Sequence, residues 1–489
     1  MLRPWKITLS ERIDGARAMP LYLQIVYALI HEVQRGRLAP GAYLPSSREL
    51  ARTLGVNRKT IVLAYDDLIA QGWLQSHGTR GTRVATNLPD QPVESQARAG
   101  PPDTAEFRFN AADGPPFVLS GSDALTFDEG TPDCRLFPTD VLARAYRDAI
   151  TRATRWNRLH YGDPRGSPYL RQGIVDMLNA QRGLQASIDN ICITRGSQMA
   201  VAVAARALLK PGDTVIMESL TYTPAAAAFR AAGAQVIGVP VDADGIDVEA
   251  VERACRKHRV RAVFLTPHHQ FPTTVALRPE RRLRLLEIAR QFAFAVIEDD
   301  YDHEFHFESQ PLLPLASYAP NRVIYVGSLS KLTLPSLRIG YVVAPTAVID
   351  AIASQIMTLD RQGNALTEDA VAELIDAGEL RRHARKTHLI YGARRLAFAE
   401  ALDRELGGLM TYDMPDGGLA FWLRFPDLDV LDRIDKNGPS VGLRFAPSDS
   451  YAVPPSAQRG LRLGFASLNE TEAEDAIRRL SRAARASLG

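Results

Sequence analysis

Few cysteines and no long apolar run narrow the classes of protein to which this 489-residue chain can belong. Its three cysteines, Cys134, Cys192 and Cys255, are far apart and odd in number, so neither a disulfide framework nor a zinc site is indicated. No apolar stretch approaches the roughly 18 residues that suggest a membrane span, and the N-terminus lacks the apolar core of a signal peptide. The sequence therefore predicts a soluble, cytoplasmic protein without a membrane partner.

The composition is not extreme: 46% of the residues are apolar and 23% are charged, as in ordinary globular proteins. Length alone suggests about two to four domains. Charge is uneven along the chain: residues 1–85 carry 12 Lys and Arg against 6 Asp and Glu, whereas the remainder is slightly acidic. A basic module in front of a near-neutral body indicates a polyanionic partner for that module alone.

The basic module has the pattern of a helix-turn-helix. LYLQIVYALIHEVQRG, residues 21–36, repeats apolar residues with helical spacing. Ser46 and Glu49 have the spacing of a capping box and predict a short helix from about Ser47 to Leu54, which Gly55 ends. Asn57 is placed to cap a second helix. The inner face of that helix is predicted to use Val62, Tyr65, Leu68 and Ile69.

The second helix begins with donors suited to a major groove, and WLQSHGTRGTRVA after it predicts two short strands around a glycine-rich tip. PSSRELARTLGVNRKTIVLAYDDLIAQGWL followed by GTRGT resembles the winged helix of GntR-type transcription regulators. The resemblance implies that a domain at residues 18–86 binds double-stranded DNA. It makes these residues the candidates for DNA contact: Arg48, Arg58, Lys59, Thr60, Arg80 and Gly81.

Residues 87–124 are rich in Pro, Gly, Ser and Asp and predict a linker. From residue 125 to 489, short β-rich runs alternate with helical stretches. The strand candidates are ICIT (191–194), TVIME (214–218), RAVFLTP (261–267), FAVIEDDY (294–301) and RVIYVGS (322–328). This alternation predicts an α/β domain with a mostly parallel sheet, whose ligands bind at the carboxyl ends of the strands.

Lys331 follows the last of these strands in the stretch VGSLSKLTLPSLRIGY. A lysine there is costly unless its charge is paired or removed, and an imine with pyridoxal phosphate removes it. The cofactor also needs a carboxylate for its ring nitrogen, and Asp299 at a strand end is the candidate. Tyr301, two residues further along the strand, is the candidate to form a hydrogen bond with the phenolic oxygen of the cofactor. The backbone N–H groups of Gly196, Ser197 and Gln198 are candidates for the phosphate.

Three further residues complete this constellation. Ser328 and Arg338 offer the phosphate a hydroxyl and a guanidinium, and Tyr222 is placed to stack on the cofactor ring. Each residue also has a purely structural interpretation, such as a helix cap or a half-buried core aromatic. Their combination on strand ends favours the cofactor.

The region from residue 125 onward resembles fold-type I aminotransferases. The matching pieces are FDEGTPDCRLFP, YGDPRGSPYLRQGI, TRGSQMA, VIEDDYDHEF, SLSKLTLPSLRIGY and LRLGFA. Together with the winged helix, the chain resembles the MocR subfamily of GntR regulators, which includes GabR-like proteins. The resemblance implies that Lys331 carries the cofactor as an internal aldimine. It also implies that Tyr161 reaches a phosphate in the partner's site of a homodimer, and that Arg462 binds the carboxylate of an amino acid.

One motif departs from the aminotransferase pattern. Where Asn-Pro-Thr-Gly is common, the chain has HHQFPTTV, with Phe271 in the asparagine place and Thr274 in the glycine place. Without that asparagine, the residues left to bind the phenolic oxygen of the cofactor are Tyr301 and His269. His303 and His306 have a His-x-x-His spacing, but no further ligands accompany them, so no metal site is predicted.

Three functions fit these observations. The first is a transcription regulator that senses an amine, an amino acid or pyridoxal phosphate itself by imine exchange at Lys331. The second is a working aminotransferase with an accessory DNA-binding domain, and the third is a cofactor-free domain that binds another ligand. The first is preferred because a free-standing transaminase has no use for a basic helix-turn-helix, and the third is weakest because the whole cofactor constellation is present.

Overall fold

The computed structural model describes residues 12–14, 18–89, 107–108, 124–308, 312–454, 456 and 458–486. By its internal contacts the chain divides into two units, residues 1–117 and residues 118–489. None of the helices in the described ranges is long and apolar enough to cross a membrane.

The described residues of the first unit form three helices and a two-stranded antiparallel wing. Its elements are Leu21–Gln34 (α1), Ser47–Leu54 (α2), Arg58–Ala70 (α3), Leu74–Ser76 (β1) and Thr82–Val84 (β2). The predicted caps are present: Ser46 Oγ accepts from the Glu49 N–H at 3.2 Å, and Asn57 Oδ1 accepts from the Lys59 N–H at 2.8 Å. Gly55 ends α2 in the left-handed region, with φ 66°, which glycine adopts without strain.

The predicted inner face of α3 was wrong in one position. Val62 is 37% exposed, whereas Ile61 and Ala64 are completely buried. The buried positions Ile61, Ala64, Tyr65 and Leu68 follow the i, i+3, i+4, i+7 pattern of one helix face. The predicted face began at Val62, one residue after the buried Ile61, whereas Tyr65 and Leu68 are buried as predicted.

The second unit is built around a seven-stranded sheet. Its strands are Ile191–Thr194 (β4), Thr214–Glu218 (β5), Gln235–Val239 (β6), Val260–Leu265 (β9), Ala295–Asp300 (β10), Val323–Ser328 (β11) and Gly340–Val343 (β12). They lie side by side in the order β4-β12-β11-β10-β9-β5-β6. All neighbours are parallel except β12, which runs antiparallel to both β11 and β4. The mostly parallel sheet confirms the predicted fold class.

Helices cover both faces of this sheet and bury two apolar clusters against it. This is the arrangement expected for strands that are buried on both faces and consist almost entirely of apolar residues. The helices of this lobe are Thr139–Arg155 (α4), Pro168–Arg182 (α5), Ser197–Leu208 (α6), Thr223–Ala231 (α7), Val248–Lys257 (α8), Pro279–Phe292 (α9), Leu315–Tyr318 (α10), Thr346–Leu359 (α11) and Ala365–Asp376 (α12).

A smaller lobe has its own apolar cluster, which includes residues of an antiparallel strand pair and three helices. These elements are Glu379–Leu406 (α13), Ala420–Leu423 (β13), Leu428–Asn437 (α14), Leu461–Gly464 (β15) and Glu470–Arg485 (α15). Short strand pieces complete the described strands: Leu125–Thr126 (β3) beside Leu443–Arg444 (β14), and the hairpin Val241–Asp242 (β7) with Gly245–Ile246 (β8).

Candidate functional site: a cofactor pocket at the carboxyl ends of the strands

Lys331 lies just after β11, in the place that the sequence predicts. Its Nζ donates a hydrogen bond to the carbonyl oxygen of Gly130. Burial lowers the pKa of the Lys331 ammonium, and the nearby carboxylates of Asp128 and Asp302 only partly oppose that shift. Because the lysine forms no ion pair with any described residue, its amino group is available for chemistry.

Asp299 is a buried carboxylate that lacks a partner. It is 4% exposed, and its Oδ1 makes no hydrogen bond within the described part of the chain. Burial, with the neighbouring Asp300 and Asp302, raises the pKa of Asp299 to about 8. A cationic ring nitrogen would satisfy this carboxylate.

Asp300, the next residue of β10, faces away from Asp299 and is paired through its Oδ2 atom. Its Oδ2 accepts hydrogen bonds from Arg182 Nη2 at 2.5 Å and from the Tyr325 hydroxyl at 2.7 Å. Although burial opposes ionisation, Arg182 and His303 hold the pKa of Asp300 well below its usual range. The two adjacent aspartates therefore have opposite environments.

The loop between β4 and α6 lies against the guanidinium of Arg338. Gly196 precedes the first turn of α6 with φ 79°, and a Cβ on it would lie 3.1 Å from Arg338 Nη2. The missing side chain of Gly196 leaves room for the guanidinium next to the N–H groups of Ser197 and Gln198 in the first turn of α6, where N–H groups lack intrahelical partners. The Gly196 N–H, also predicted to bind the phosphate, instead donates to the Thr194 carbonyl oxygen at 2.9 Å. Ser328, at the end of β11, is buried and accepts a hydrogen bond from the Ser330 N–H at 3.1 Å.

Arg462, on β15, enters the site from the smaller lobe. It is 1% exposed and donates to the carbonyl oxygens of Glu129 at 2.9 Å and Pro272 at 2.8 Å. Its Nη2 also donates to the Tyr301 hydroxyl at 3.2 Å. The guanidinium lies 4.6 Å above the centre of the Phe271 ring. All its contacts are neutral, and it forms no ion pair with any described residue.

Aromatic rings line the site. The rings of Tyr222 and Phe271 meet edge to face with centroids 5.4 Å apart, and Phe271 also contacts Tyr301 and Tyr451. Phe271, which stands where aminotransferases commonly have asparagine, therefore supports Arg462 and the two tyrosines. A flat ligand next to Tyr222 would meet an apolar wall.

His269 contributes its backbone to the site, and its ring is held elsewhere. The Tyr301 hydroxyl donates to the His269 carbonyl oxygen at 3.1 Å, while His269 Nδ1 is 2.8 Å from Asp302 Oδ1. The expectation that the ring reaches the phenolic oxygen of a cofactor receives no support from this geometry. Sequence reasoning missed Asp302 because nothing in the motif VIEDDYDHEF marks it as the partner of a histidine so far away along the chain.

His303 and His306 do not form a metal centre with other residues. Among the described residues, no group of three or more His, Cys, Asp and Glu side chains has a geometry suited to a metal ion. His306 Nε2 lies 3.0 Å from His268 Nε2, and His303 adjoins Asp300. These contacts are hydrogen-bonding and electrostatic.

Tyr161 is the one predicted cofactor ligand that lies away from Lys331. Its side chain is 74% exposed, and the Arg361 guanidinium carbon lies 4.2 Å from the centre of its ring. The neighbouring Gly162 N–H donates to Gln362 Oε1. Tyr161 therefore projects from the surface of its own subunit, together with exposed Trp156.

In the first unit, the candidate DNA-contact residues occupy the start of α3, the nearby face of α2 and the tip of the wing. Arg48, Arg58, Lys59, Arg80 and Gly81 are exposed, and Thr60 is half-buried. Arg58 Nε lies 3.5 Å from Ser47 Oγ, which links the first turns of α2 and α3. Gly81 has φ 105°, a conformation that favours glycine at the wing tip.

Comparisons with known proteins give the class of the fold and the site. Residues 125–480 match the model of the family "Aminotransferase class I and II", and residues 21–84 match "Bacterial regulatory proteins, gntR family". The α-aminoadipate aminotransferase LysN of Thermus thermophilus, solved with N-(5'-phosphopyridoxyl)-L-leucine, shares 27% identity and a TM-score of 0.68. The similarity covers 74% of this chain and 92% of that one.

Relatives with both parts are regulators. The probable rhizopine catabolism regulatory protein MocR of Rhizobium meliloti is 30% identical over 96% of this chain and 94% of its own length. The transcriptional regulator TauR of Rhodobacter capsulatus is 31% identical over 92% and 93%. The chain belongs to the MocR family, in which a GntR-type head is joined to an aminotransferase class I and II domain. It is a pyridoxal-phosphate-dependent, DNA-binding transcription regulator.

The residues present fit pyridoxal phosphate. Among the described residues, Asp299 Oδ1 has no hydrogen-bond partner and suits the ring nitrogen, and Lys331 has an amino group free of ion pairs. The Arg338 guanidinium, which lies against Gly196 at the start of α6, suits the phosphate. Tyr222 provides a ring contact. The orphaned carboxylate is the clearest sign, since a buried polar atom without a partner is costly.

Proposed function

We propose that this regulator senses a primary amine that carries a carboxylate, in the site around Lys331. Arg462 is the observation that carries this proposal: a buried guanidinium surrounded only by neutral acceptors. Keeping a cation out of water without a direct ion pair is costly, and an incoming carboxylate would form that ion pair with a bidentate geometry. An amino acid therefore suits the site better than a simple amine.

The other residues of the site bind different parts of the cofactor and the effector. When bound, pyridoxal phosphate supplies an aldehyde that exchanges one primary amine for another. Lys331 would hold the cofactor, and burial, which lowers the pKa of its ammonium, favours the neutral amino group that this bond requires. Asp299 would orient the ring nitrogen, and Ser197, Gln198, Ser328 and Arg338 would hold the phosphate. Tyr301 links the cofactor region to Arg462.

The proposal extends to a homodimer and to the assignment of domains. The exposed Tyr161 has no role in its own subunit's site, and a second copy of the chain would use it at the phosphate. Residues 18–86 form the DNA-binding domain, 87–124 the linker and 125–489 the effector domain. Effector and DNA must affect each other reciprocally: an effector that favours the DNA-bound arrangement binds more tightly when DNA is present.

The test uses the full-length protein loaded with pyridoxal phosphate. A panel of primary amines and amino acids is added while the visible absorption band and operator binding are measured. We expect amino acids to shift the band and to change the DNA affinity, and Lys331→Ala to lose the band. Arg462→Ala should keep the band and lose the response to amino acids. Steady turnover with an oxo acid at about 1 to 1000 per second would instead identify a working aminotransferase.

A further inference from the structure

Glu129 occupies a position between the two cations of the site. The carbonyl oxygen of Glu129 accepts from Arg462 Nε at 2.9 Å, and the next carbonyl, that of Gly130, accepts from Lys331 Nζ. A single short segment of backbone therefore touches both the residue proposed to bind the effector carboxylate and the residue proposed to yield to its amine. Any effector that contacts both cations must pass close to Glu129.

The side chain of Glu129 has no ionic partner of its own. It is half-buried and forms no ion pair with any described residue. Burial raises the pKa of its carboxyl group, whereas Arg462, Lys331 and the Tyr451 hydroxyl favour its charged form. The two other carboxylates that act on Lys331 are occupied. Asp128 accepts from the N–H groups of Gly130 and Thr131, at 2.8 and 2.5 Å, and Asp302 is held by His269.

We propose that Glu129 determines specificity by binding a second cationic group, so that the effector is an amino acid with a cationic side chain, such as a diamino carboxylic acid. This inference rests on the proposed function. A ligand with a neutral side chain would cover Glu129 and strip its carboxylate of water without compensation. A dicarboxylic acid would bring a like charge to it. The site would therefore favour cationic side chains and reject acidic ones.

The experiment compares L-ornithine with L-norvaline, which has the same carbon chain but lacks the terminal amino group. Full-length protein loaded with pyridoxal phosphate is titrated with each, and the dissociation constants are read from the visible band. We expect wild-type protein to bind ornithine about tenfold more tightly or better, and Glu129→Gln to lose that preference. Glu129→Asp, which keeps the charge, should retain part of it. The matched control is Glu280→Gln, at an exposed position on α9, where the wild-type ratio should persist.

The outcomes separate this inference from the proposed function. Equal constants for ornithine and norvaline in the wild type would overturn the role of Glu129 and leave amino-acid sensing intact. A wild-type preference that persists in Glu129→Gln would show that this carboxylate only balances the charges of Arg462 and Lys331. If no amine of any kind shifted the band, the proposed function and this inference would both be wrong. An unchanged absorption band before titration shows that each variant is folded and loaded.

Discussion

The adjacent residues Asp299 and Asp300 show how one strand can give the same side chain two functions. Successive residues of a strand point to opposite faces, so Asp299 faces the proposed cofactor and Asp300 faces Arg182 and Tyr325. Burial and the neighbouring Asp300 and Asp302 raise the pKa of Asp299 to about 8, while Arg182 lowers that of Asp300. This split of faces follows from strand geometry alone.

Replacing each aspartate by asparagine should therefore give different defects. We expect Asp299→Asn to weaken pyridoxal phosphate binding about tenfold or more, because a charge-assisted hydrogen bond to the ring nitrogen is lost. Asp300→Asn leaves Arg182 as a buried charge without its partner, and it should cost about 3 to 5 kcal/mol of folding stability. Cofactor titration and urea unfolding of both variants distinguish the two effects. Equal cofactor affinity in Asp299→Asn and the wild type would contradict the assignment.

The pH dependence of the cofactor-free protein tests the same residue. Because the pKa of Asp299 is about 8 in the folded chain and near 3.8 in a free aspartate, the folded state retains a proton between those values that the unfolded state has lost. Stability should therefore fall as the pH rises through this window. We expect wild type to lose about 1.4 kcal/mol per pH unit relative to Asp299→Asn. Urea unfolding at several pH values measures the difference, and parallel profiles would disprove it.

At the level of elements, five of the seven strands of the main sheet were predicted and two were missed. Each of the five predicted strands contains a short run of consecutive apolar residues, and the structure places each within one or two residues of the prediction. The missed strands are β6, whose first residues are exposed, and β12, which runs antiparallel between β4 and β11. Gly340 begins β12 and packs so closely on Gly196 that a Cβ would lie 2.6 Å from the Gly196 carbonyl carbon. No local pattern shows that requirement.

The geometry at the start of α6 predicts that alanine at Gly196 disturbs the cofactor site. Gly196 and Gly212 have φ of 79° and 89°, but only at Gly196 would an added Cβ meet a neighbour, Arg338, within 4 Å. We expect alanine at either site to cost about 1 kcal/mol of stability through backbone strain. Only Gly196→Ala should also weaken pyridoxal phosphate binding, because the methyl group displaces the guanidinium. Thermal unfolding and cofactor titration of both variants are the measurements, and equal cofactor affinities would argue against the phosphate site.

The position of Arg58 at the start of α3 predicts a contact with DNA. Arg58 is exposed in the first turn of the helix, where side chains of a recognition helix contact bases. If Arg58 reads a base, Arg58→Ala should weaken operator binding by about 1 to 3 kcal/mol and relax specificity at one position. Arg35, exposed at the end of α1, provides the control, and Arg35→Ala should cost much less. Binding measured by fluorescence anisotropy at fixed salt decides between them, and full affinity in Arg58→Ala would remove it from the contact set.

At the scale of the whole molecule, sequence motifs identify many residues of the site, whereas the contacts that these residues make depend on tertiary packing. Lys331, Asp299, Tyr222, Arg338 and Arg462 come together at the strand ends as the sequence indicates. The position of Glu129 is not predictable, since nothing in FDEGTPD indicates that successive carbonyls hold two cations. Nor does any sequence pattern connect Arg182 on α5 with Asp300 on β10. Such pairs are distant in sequence and depend on the completed fold.

The proposed homodimer makes a prediction that only two chains together can satisfy. If Tyr161 acts in the partner's site, Tyr161→Phe should hold pyridoxal phosphate weakly, and Lys331→Ala should not hold it covalently at all. A mixed dimer of the two variants contains one site with an intact lysine from one chain and an intact tyrosine from the other. Because a two-fold dimer has two equivalent sites, random mixing should restore about a quarter of the sites to full affinity.

Dialysis followed by measurement of the retained visible band would detect that fraction. The phenylalanine variant is suitable because it keeps the ring next to Arg361 and removes only the hydroxyl. Restoration requires that the two residues come from different chains, since the other site of the mixed dimer carries both substitutions. If the mixture retained no more cofactor than the separate variants predict, Tyr161 would act within its own subunit or not at all, and its exposure would need another explanation.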